Sequence, residues 1–495
     1  MATESSLVLG WVVSPAGDPL YWLNPSARPG RQRSEDLVTI PAGSMGAHSV
    51  VVAQSGSGKS VFVGRLIEEL MVRTRARCVV FDPNADFWKC HIVEDADLWS
   101  SASYDFLRRL GRLPHERTRT EFARLWSSVG VRILTARSLE LLDRPYARLQ
   151  VWLPSLSVET FAEGLNSIER SEVYQCHAFV RTVSLFPLAK EKRHESLIDR
   201  AERLFELGKR DPEAFRLTIR SELSGSTSGQ FNTVQFLSNS RIRRANAALP
   251  YISLEMGRYY FAKAREYQAA RILATDRERP VDTERLKVVD LPSLSDPEVR
   301  FLMVNALLAE EWAAARSTWQ SALEAPPAKD VRVPTFIVLE EAHNLAPSEA
   351  PGHRANALRE QIRTIAAEGR KYGLYLILVS QRPDKLDPVV VSECENKALL
   401  RLDSAEVLAV TERALGLEGI ARRTLESCLN FGIGRALMIG RWAPREGRVL
   451  YAAPRRTVEG GRSLRSAFWA APPEPDRGAH PRKRPGVKLK GKLRR

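Results

Sequence analysis

Residues 49–60 read Ser-Val-Val-Val-Ala-Gln-Ser-Gly-Ser-Gly-Lys-Ser: an apolar run that breaks into a loop of small residues and closes on Gly58-Lys59-Ser60. Such a loop lets successive backbone N–H groups close around a polyphosphate. Its lysine reaches the β- and γ-phosphates, and its last hydroxyl ligates Mg²⁺. Gln54, Ser55, Gly56, Ser57, Gly58, Lys59 and Ser60 are therefore the candidate ATP-binding residues, with Ser60 also a candidate metal ligand. Over the next stretch, Val61 to Arg73, the side chains of Val63, Leu66, Ile67, Leu70 and Met71 share one helical face. A helix that starts at the loop aims the positive end of its dipole at the phosphates. Ala53 stands where the strict pattern G-x-x-x-x-G-K-S has its first glycine.

Further apolar runs extend the alternation. Arg77–Phe81 ending in Asp82, Leu286–Leu291, Thr335–Leu339 and Leu374–Val379 read as buried strands. Between them lie helical patterns, one over 298–323 and another through Leu358, Ile362, Ile365 and Ala366. Buried strand, helix, buried strand predicts an α/β fold with a parallel sheet. The expected organisation has five parts: a small β-rich N-terminal module over 1–45, a first core segment over 46–94, a mostly helical insertion over 95–284, a second core segment over 285–455, and a basic, proline-rich, disordered tail over 456–495.

Binding a nucleotide requires a phosphate loop; hydrolysing it also requires a metal shell and a group that orients water. The strand Thr335–Leu339 ends in Glu340-Glu341-Ala342-His343, and the end of a parallel strand faces the crevice where such sheets bind ligands. Glu340 is assigned to the Mg²⁺ shell through water, beside Ser60, and Glu341 to polarising the attacking water, with the reverse assignment left open. Gln381, at the end of the fifth strand in Ser380-Gln381-Arg382, can contact the γ-phosphate or that water. Arg370, in Glu368-Gly369-Arg370-Lys371-Tyr372-Gly373, is a candidate for stabilising transition-state charge, in its own subunit or in a neighbour's.

Taken together these stretches, with Phe81-Asp82-Pro83, Asn344-Leu345-Ala346-Pro347 and Phe431–Leu437, make the chain similar to the HerA–FtsK superfamily of P-loop ATPases and, within it, to HerA. The matching stretches fall in 46–92 and about 285–452, in the family's order. The resemblance implies a RecA-like core, a hexameric ring around double-stranded DNA, an arginine finger in trans for which Arg370 matches, and an active-site role for Asp82. Glu340 departs from the aspartate common in the family, as Ala53 departs from glycine. The resemblance also implies a motor working beside a separate nuclease or antiviral effector protein. A secretion or conjugation ATPase, or an ATP-gated scaffold for a partner enzyme, is the alternative.

The net charge of +15 fits a polyanionic partner such as DNA. Nine Lys and Arg with no acid lie between Arg477 and Arg495, which leaves +6 for the remainder. Five scattered cysteines without a C-x-x-C pair indicate neither a disulfide framework nor a zinc site. No apolar run approaches a membrane span, and the N-terminus lacks the basic start of a signal peptide, so a cytoplasmic protein is expected.

Overall fold

The structure is a computed structural model and describes residues 5–12, 37–94, 119–137, 145–184, 195–224, 243–270, 273, 284–324, 326, 330, 332–350 and 352–460. Their strands are β1 (Ser6–Val12), β2 (Leu37–Pro41), β3 (Ser49–Val52), β4 (Arg77–Asp82), β5 (Val131–Thr135), β6 (Tyr146–Arg148), β7 (Leu286–Asp290), β8 (Thr335–Leu339), β9 (Leu374–Ser380), β10 (Asn396–Leu399), β11 (Arg435–Ile439) and β12 (Arg448–Ala452). They form a single sheet in the order β2-β1-β12-β11-β10-β3-β9-β8-β4-β7-β5-β6. Every pair from β10 to β6 is parallel, and every pair from β10 to β2 is antiparallel. The expected α/β class with a parallel core is therefore the observed one.

Helices cover both faces. Because side chains alternate along a strand, Val50 and Val52 enter one core and Val51 and Ala53 the other. The second core packs against α1 (Lys59–Arg73) and α2 (Arg119–Val129) through Phe62, Leu66, Leu70, Phe122 and Trp126. The first packs α7 (Pro297–Glu324) and α8 (His353–Tyr372) on the sheet, and continues into α3 (Ser167–Ser184), α4 (Leu197–Arg210), α5 (Pro212–Ser224) and α6 (Leu254–Ala269). The helices of the insertion thus share the core of the ATPase layer. The segment 95–284 also contributes β5, β6 and α2, so strands lie inside the stretch expected to be mostly helical. Arg132 interrupts the apolar run of β5, whose partner β7 begins 150 residues later, and neither fact marks a strand locally.

The described strands of segment 1–45 belong to the same sheet, with β2 at its edge. β1 pairs with β12, and its Leu7 and Leu9 join the α1 core. Residues 456–460, expected to open the tail, are packed against α1 instead, with Arg456 and Thr457 buried. The rest of the tail, and the Gly/Ser stretch 225–229, lie outside the described residues. Among the described residues no helix is long and apolar enough to cross a membrane.

Two buried histidines make stability depend on acid. His48 accepts the Leu376 N–H at 2.8 Å, and His177 pairs with the Tyr260 hydroxyl at 2.7 Å. Burial pulls each down to about 4; for His48 the Ala366 carbonyl and Glu395 oppose this and Arg370 adds to it, and for His177 Arg181 adds to it while the Pro154 carbonyl opposes it. A histidine buried neutral takes up its proton on unfolding, so its stabilisation is complete above about 6.5 and is lost as the pH falls towards 4. Each site then forfeits up to about 3 kcal/mol. Thermal melts between pH 7 and 4 should fall steeply for the wild type and less steeply for His177→Gln. Equal slopes would remove this account of the His177 site.

Candidate active site

The phosphate loop is built by two left-handed glycines. Gly56 has φ +71° and Gly58 has φ +94°, a region open to glycine at little cost. Gly58 is also crowded, since a Cβ there would stand 3.0 Å from the Gly434 N. The Ser57 hydroxyl donates to Gln54 O at 2.6 Å, and Gly434 N–H donates to Ser57 O at 3.0 Å, so the turn before β11 braces the loop. Ala53 N–H donates to Ser380 O and Gln54 N–H to Arg401 O, which moors the loop between β9 and β10. Ala53 is buried and does not take a positive φ, so the loop needs no glycine at that position.

Lys59 at the start of α1, Glu341 after β8 and Gln381 after β9 meet at the C-terminal edge of the neighbouring parallel strands β3, β9 and β8. Glu341 takes a left-handed φ of +47°, which turns its side chain back towards the loop. Such a conformation in a non-glycine residue costs on the order of 1 kcal/mol or more and is maintained by its surroundings. Here those are three donors on one oxygen: Lys59 Nζ, Gln381 Nε2 at 2.7 Å and Asn84 Nδ2 at 3.5 Å. The other oxygen lies 3.5 Å from His343 Nδ1. Burial alone would raise the Glu341 carboxyl, but Lys59, Gln381 and His343 together hold it below the usual carboxylate range.

Glu340 is the opposite case. It is fully buried, and neither carboxylate oxygen has a hydrogen-bond partner. Lys59 lies 3.8 Å away and favours its charge, yet burial, reinforced by Asp82, Asp86 and Glu341, pushes it up to about 8. A buried carboxylate with two orphaned oxygens calls for a proton or a cation. With the Ser60 hydroxyl and Asp86 it offers the hard oxygen donors that Mg²⁺ takes, so the residues present fit that ion. Among the described residues no three acids, histidines or cysteines form a metal cage of their own. Mg²⁺ beside a nucleotide needs none, because phosphates and water fill most of its positions.

Asp82 reaches the site through its loop. Its carboxylate accepts the N–H groups of Asn84, Asp86 and Phe87 at 3.2, 3.1 and 2.8 Å. Burial raises it to about 6, against those amides. It thereby shapes the turn that delivers Asn84 to Glu341 and Asp86 to the Ser60 hydroxyl, which donates to Asp86 Oδ2 at 2.7 Å. Asn84, Asp86 and His343 escaped assignment from sequence. The only local signal for the first two was the turn-rich Asp82-Pro83-Asn84-Ala85-Asp86 directly after a strand.

Arg370 is not brought to this site within the chain. It lies in the last turn of α8, one turn before β9 begins, and pairs with Glu395, which precedes β10. Both positions are at the N-terminal edge of the parallel strands, across the sheet from Lys59.

A profile of the family described as "Helicase HerA, central domain" matches residues 32–311, more than half of the chain. The chain belongs to the HerA family. It is an α/β P-loop ATPase of the HerA–FtsK superfamily. The probable double-strand break repair helicase HerA of Methanocaldococcus jannaschii is 34% identical over 112 residues, 23% of this chain and 21% of that protein. The corresponding HerA of Pyrococcus furiosus is 29% identical over 171 residues, 32% and 29% of the two chains. The chain thus spans less than a third of the length of these relatives. Among solved structures, VirB4 of Thermoanaerobacter pseudethanolicus aligns over 92% of this chain and 99% of that one, at 14% identity and a TM-score of 0.46.

Proposed function

We propose that this HerA-family protein is a ring-forming motor that hydrolyses ATP with Mg²⁺ to translocate double-stranded DNA, beside a separate nuclease or antiviral effector. The observation that carries the reading is the split of the site's polar groups. Lys59, Glu341 and Gln381 converge at one edge of the sheet, while Arg370 waits at the other. A site completed by a neighbour's arginine makes hydrolysis depend on a ring.

Lys59 pairs with Glu341. Binding of ATP moves its charge to the β- and γ-phosphates. Glu341 is then released to accept a hydrogen bond from the attacking water, with Gln381 holding the other side. Glu340, Ser60 and Asp86 would hold Mg²⁺, which neutralises charge developing on the phosphates. Arg370 of a neighbouring copy adds a cation that acts mainly in the transition state.

The test is the ATPase rate with and without linear double-stranded DNA. A several-fold stimulation that declines steeply with salt is expected, because phosphate contacts release counterions. Equal rates with and without DNA at low salt would remove the motor and favour the ATP-gated scaffold.

A further inference from the structure

The groups assigned to hydrolysis lie on one side of the phosphate loop. In the sheet, β3 stands between β9 and β10. Gln381 follows β9, Glu341 follows β8, and Asp86, which accepts the Ser60 hydroxyl, follows β4, so each is reached by moving away from β10. A triphosphate whose last phosphate faces Lys59 and Glu341 carries its nucleoside at the opposite end. The nucleoside then falls on the other side of the loop, towards β10 and β11.

The turn before β11 decides what that side presents. Leu437 of β11 lies opposite Leu399 of β10, which lies beside Val52 of β3. Because β11 runs antiparallel to β10, the turn that precedes Arg435 overhangs the same edge as the phosphate loop. It is fixed at several points. Phe431 is buried in the core. Gly434, at φ +82°, donates its N–H to Ser57 O at 3.0 Å and accepts the Ala452 N–H at 2.7 Å. Arg435 N–H donates to Gly432 O at 3.3 Å. Among these ties stands Ile433, 64% exposed. Its Cγ2 lies against the loop, 3.4 Å from where a Cβ on Gly58 would stand. A Cβ on Gly432 would meet nothing within 4 Å beyond its own chain neighbours, so the approach beside Ile433 is open.

A single exposed isoleucine is ordinary on a protein surface. This one is held on a turn that is hydrogen-bonded to the phosphate loop, on the side where the nucleoside falls. The loop's backbone N–H groups read phosphates and not the base, so preference for a nucleoside needs apolar surface next to the loop. We infer that Ile433 is the apolar platform for the base of the bound nucleotide, against one face of its ring. The inference rests on the ATP reading above. The contact stabilises by taking apolar area of both partners out of water. Because the turn is already tied at Phe431, Gly434 and Arg435, little order has to be created when the base arrives.

The test is calorimetric titration of the full chain with ADP and, separately, with inorganic tripolyphosphate, both in Mg²⁺. Tripolyphosphate offers the phosphates without a base. Ile433→Ala should weaken ADP about tenfold, the order expected when methyl and methylene groups leave an apolar contact. Its affinity for tripolyphosphate should stay at the wild-type value. Ile433→Leu keeps the apolar volume and should bind ADP as the wild type does. Ile433 is exposed and does not take a positive φ, so neither change strains the turn. An Ile433→Ala chain with wild-type ADP affinity overturns the inference; if it also assembles less by sizing, the side chain is a contact between copies. Equal losses of ADP and tripolyphosphate overturn it too, since that is the signature of a turn that only braces the loop. So does an Ile433→Leu chain as weak as Ile433→Ala. A wild type that binds neither ligand would instead overturn the ATP reading on which the inference stands.

Discussion

A Glu341→Gln chain is expected to bind ATP at least as tightly as the wild type and to hydrolyse it about a hundredfold more slowly or worse, the usual scale for removing a group that activates the nucleophile. The binding half follows from the Lys59–Glu341 pair. Lys59 is held by Glu341, and the nucleotide must break that pair to recruit the lysine. Neutralising Glu341 removes the competitor while keeping its shape. The turnover half follows because the amide cannot accept the water's proton, although its neighbours Gln381 and Asn84 remain. Lys59→Ala should behave differently. It loses both binding and turnover, and it also leaves Glu340 and Glu341 buried beside each other without their cation. Breaking a buried ion pair from one side costs about 3–5 kcal/mol, so this variant should also melt earlier. Nucleotide binding, phosphate release and thermal melts on the two variants separate these patterns. If Glu340→Gln stops turnover and Glu341→Gln does not, the roles of the two acids are exchanged.

How much of this was legible in the sequence follows from how local each cause is. The strands β3, β4, β8 and β9 are buried on both faces, so each is written as an unbroken apolar run, and each carries its functional residue at the end of that run. The phosphate loop, the acid pair and Gln381 could be read for that reason. β10 and β12 could not: Asn396-Lys397 opens one and Arg448 the other, and they become strands only by pairing with β3 and with β11. β1 and β2 looked like a module because β12, which joins β1 to the rest of the sheet, lies over 400 residues away. Asp86 was hidden in a turn whose geometry is set by the amides that Asp82 collects. The segment 455–457 had no local mark at all, since its docking is fixed by Glu68 and by the Asp86 carbonyl. Positions that depend on a strand's own burial can be read from residues alone; those that depend on which distant segment docks beside them cannot.

The sheet also decides how Arg370 can act. β9 separates it from Gln381, and seven strand residues span roughly 20 Å, several times the reach of an arginine side chain. Arg370 therefore completes a neighbour's site or serves only its pair with Glu395. If it is a finger in trans, Arg370→Ala subunits should assemble and bind ATP at wild-type affinity but fail to hydrolyse it. Its cation is needed mainly as charge moves onto the transferring phosphate, and such fingers contribute about 10³-fold or more. If it serves only Glu395, an exposed pair worth about 1 kcal/mol or less, turnover should hardly change. Mixing with Glu341→Gln makes the distinction sharp, because each variant retains what the other lacks. In a randomly mixed ring about a quarter of the interfaces would join an intact Glu341 to an intact Arg370. Hydrolysis should then reappear on mixing two inactive proteins, and it should vary with their ratio. Two preparations that co-assemble by sizing and stay inactive at every ratio would remove the trans finger, and with it the requirement that this ATPase work as a ring.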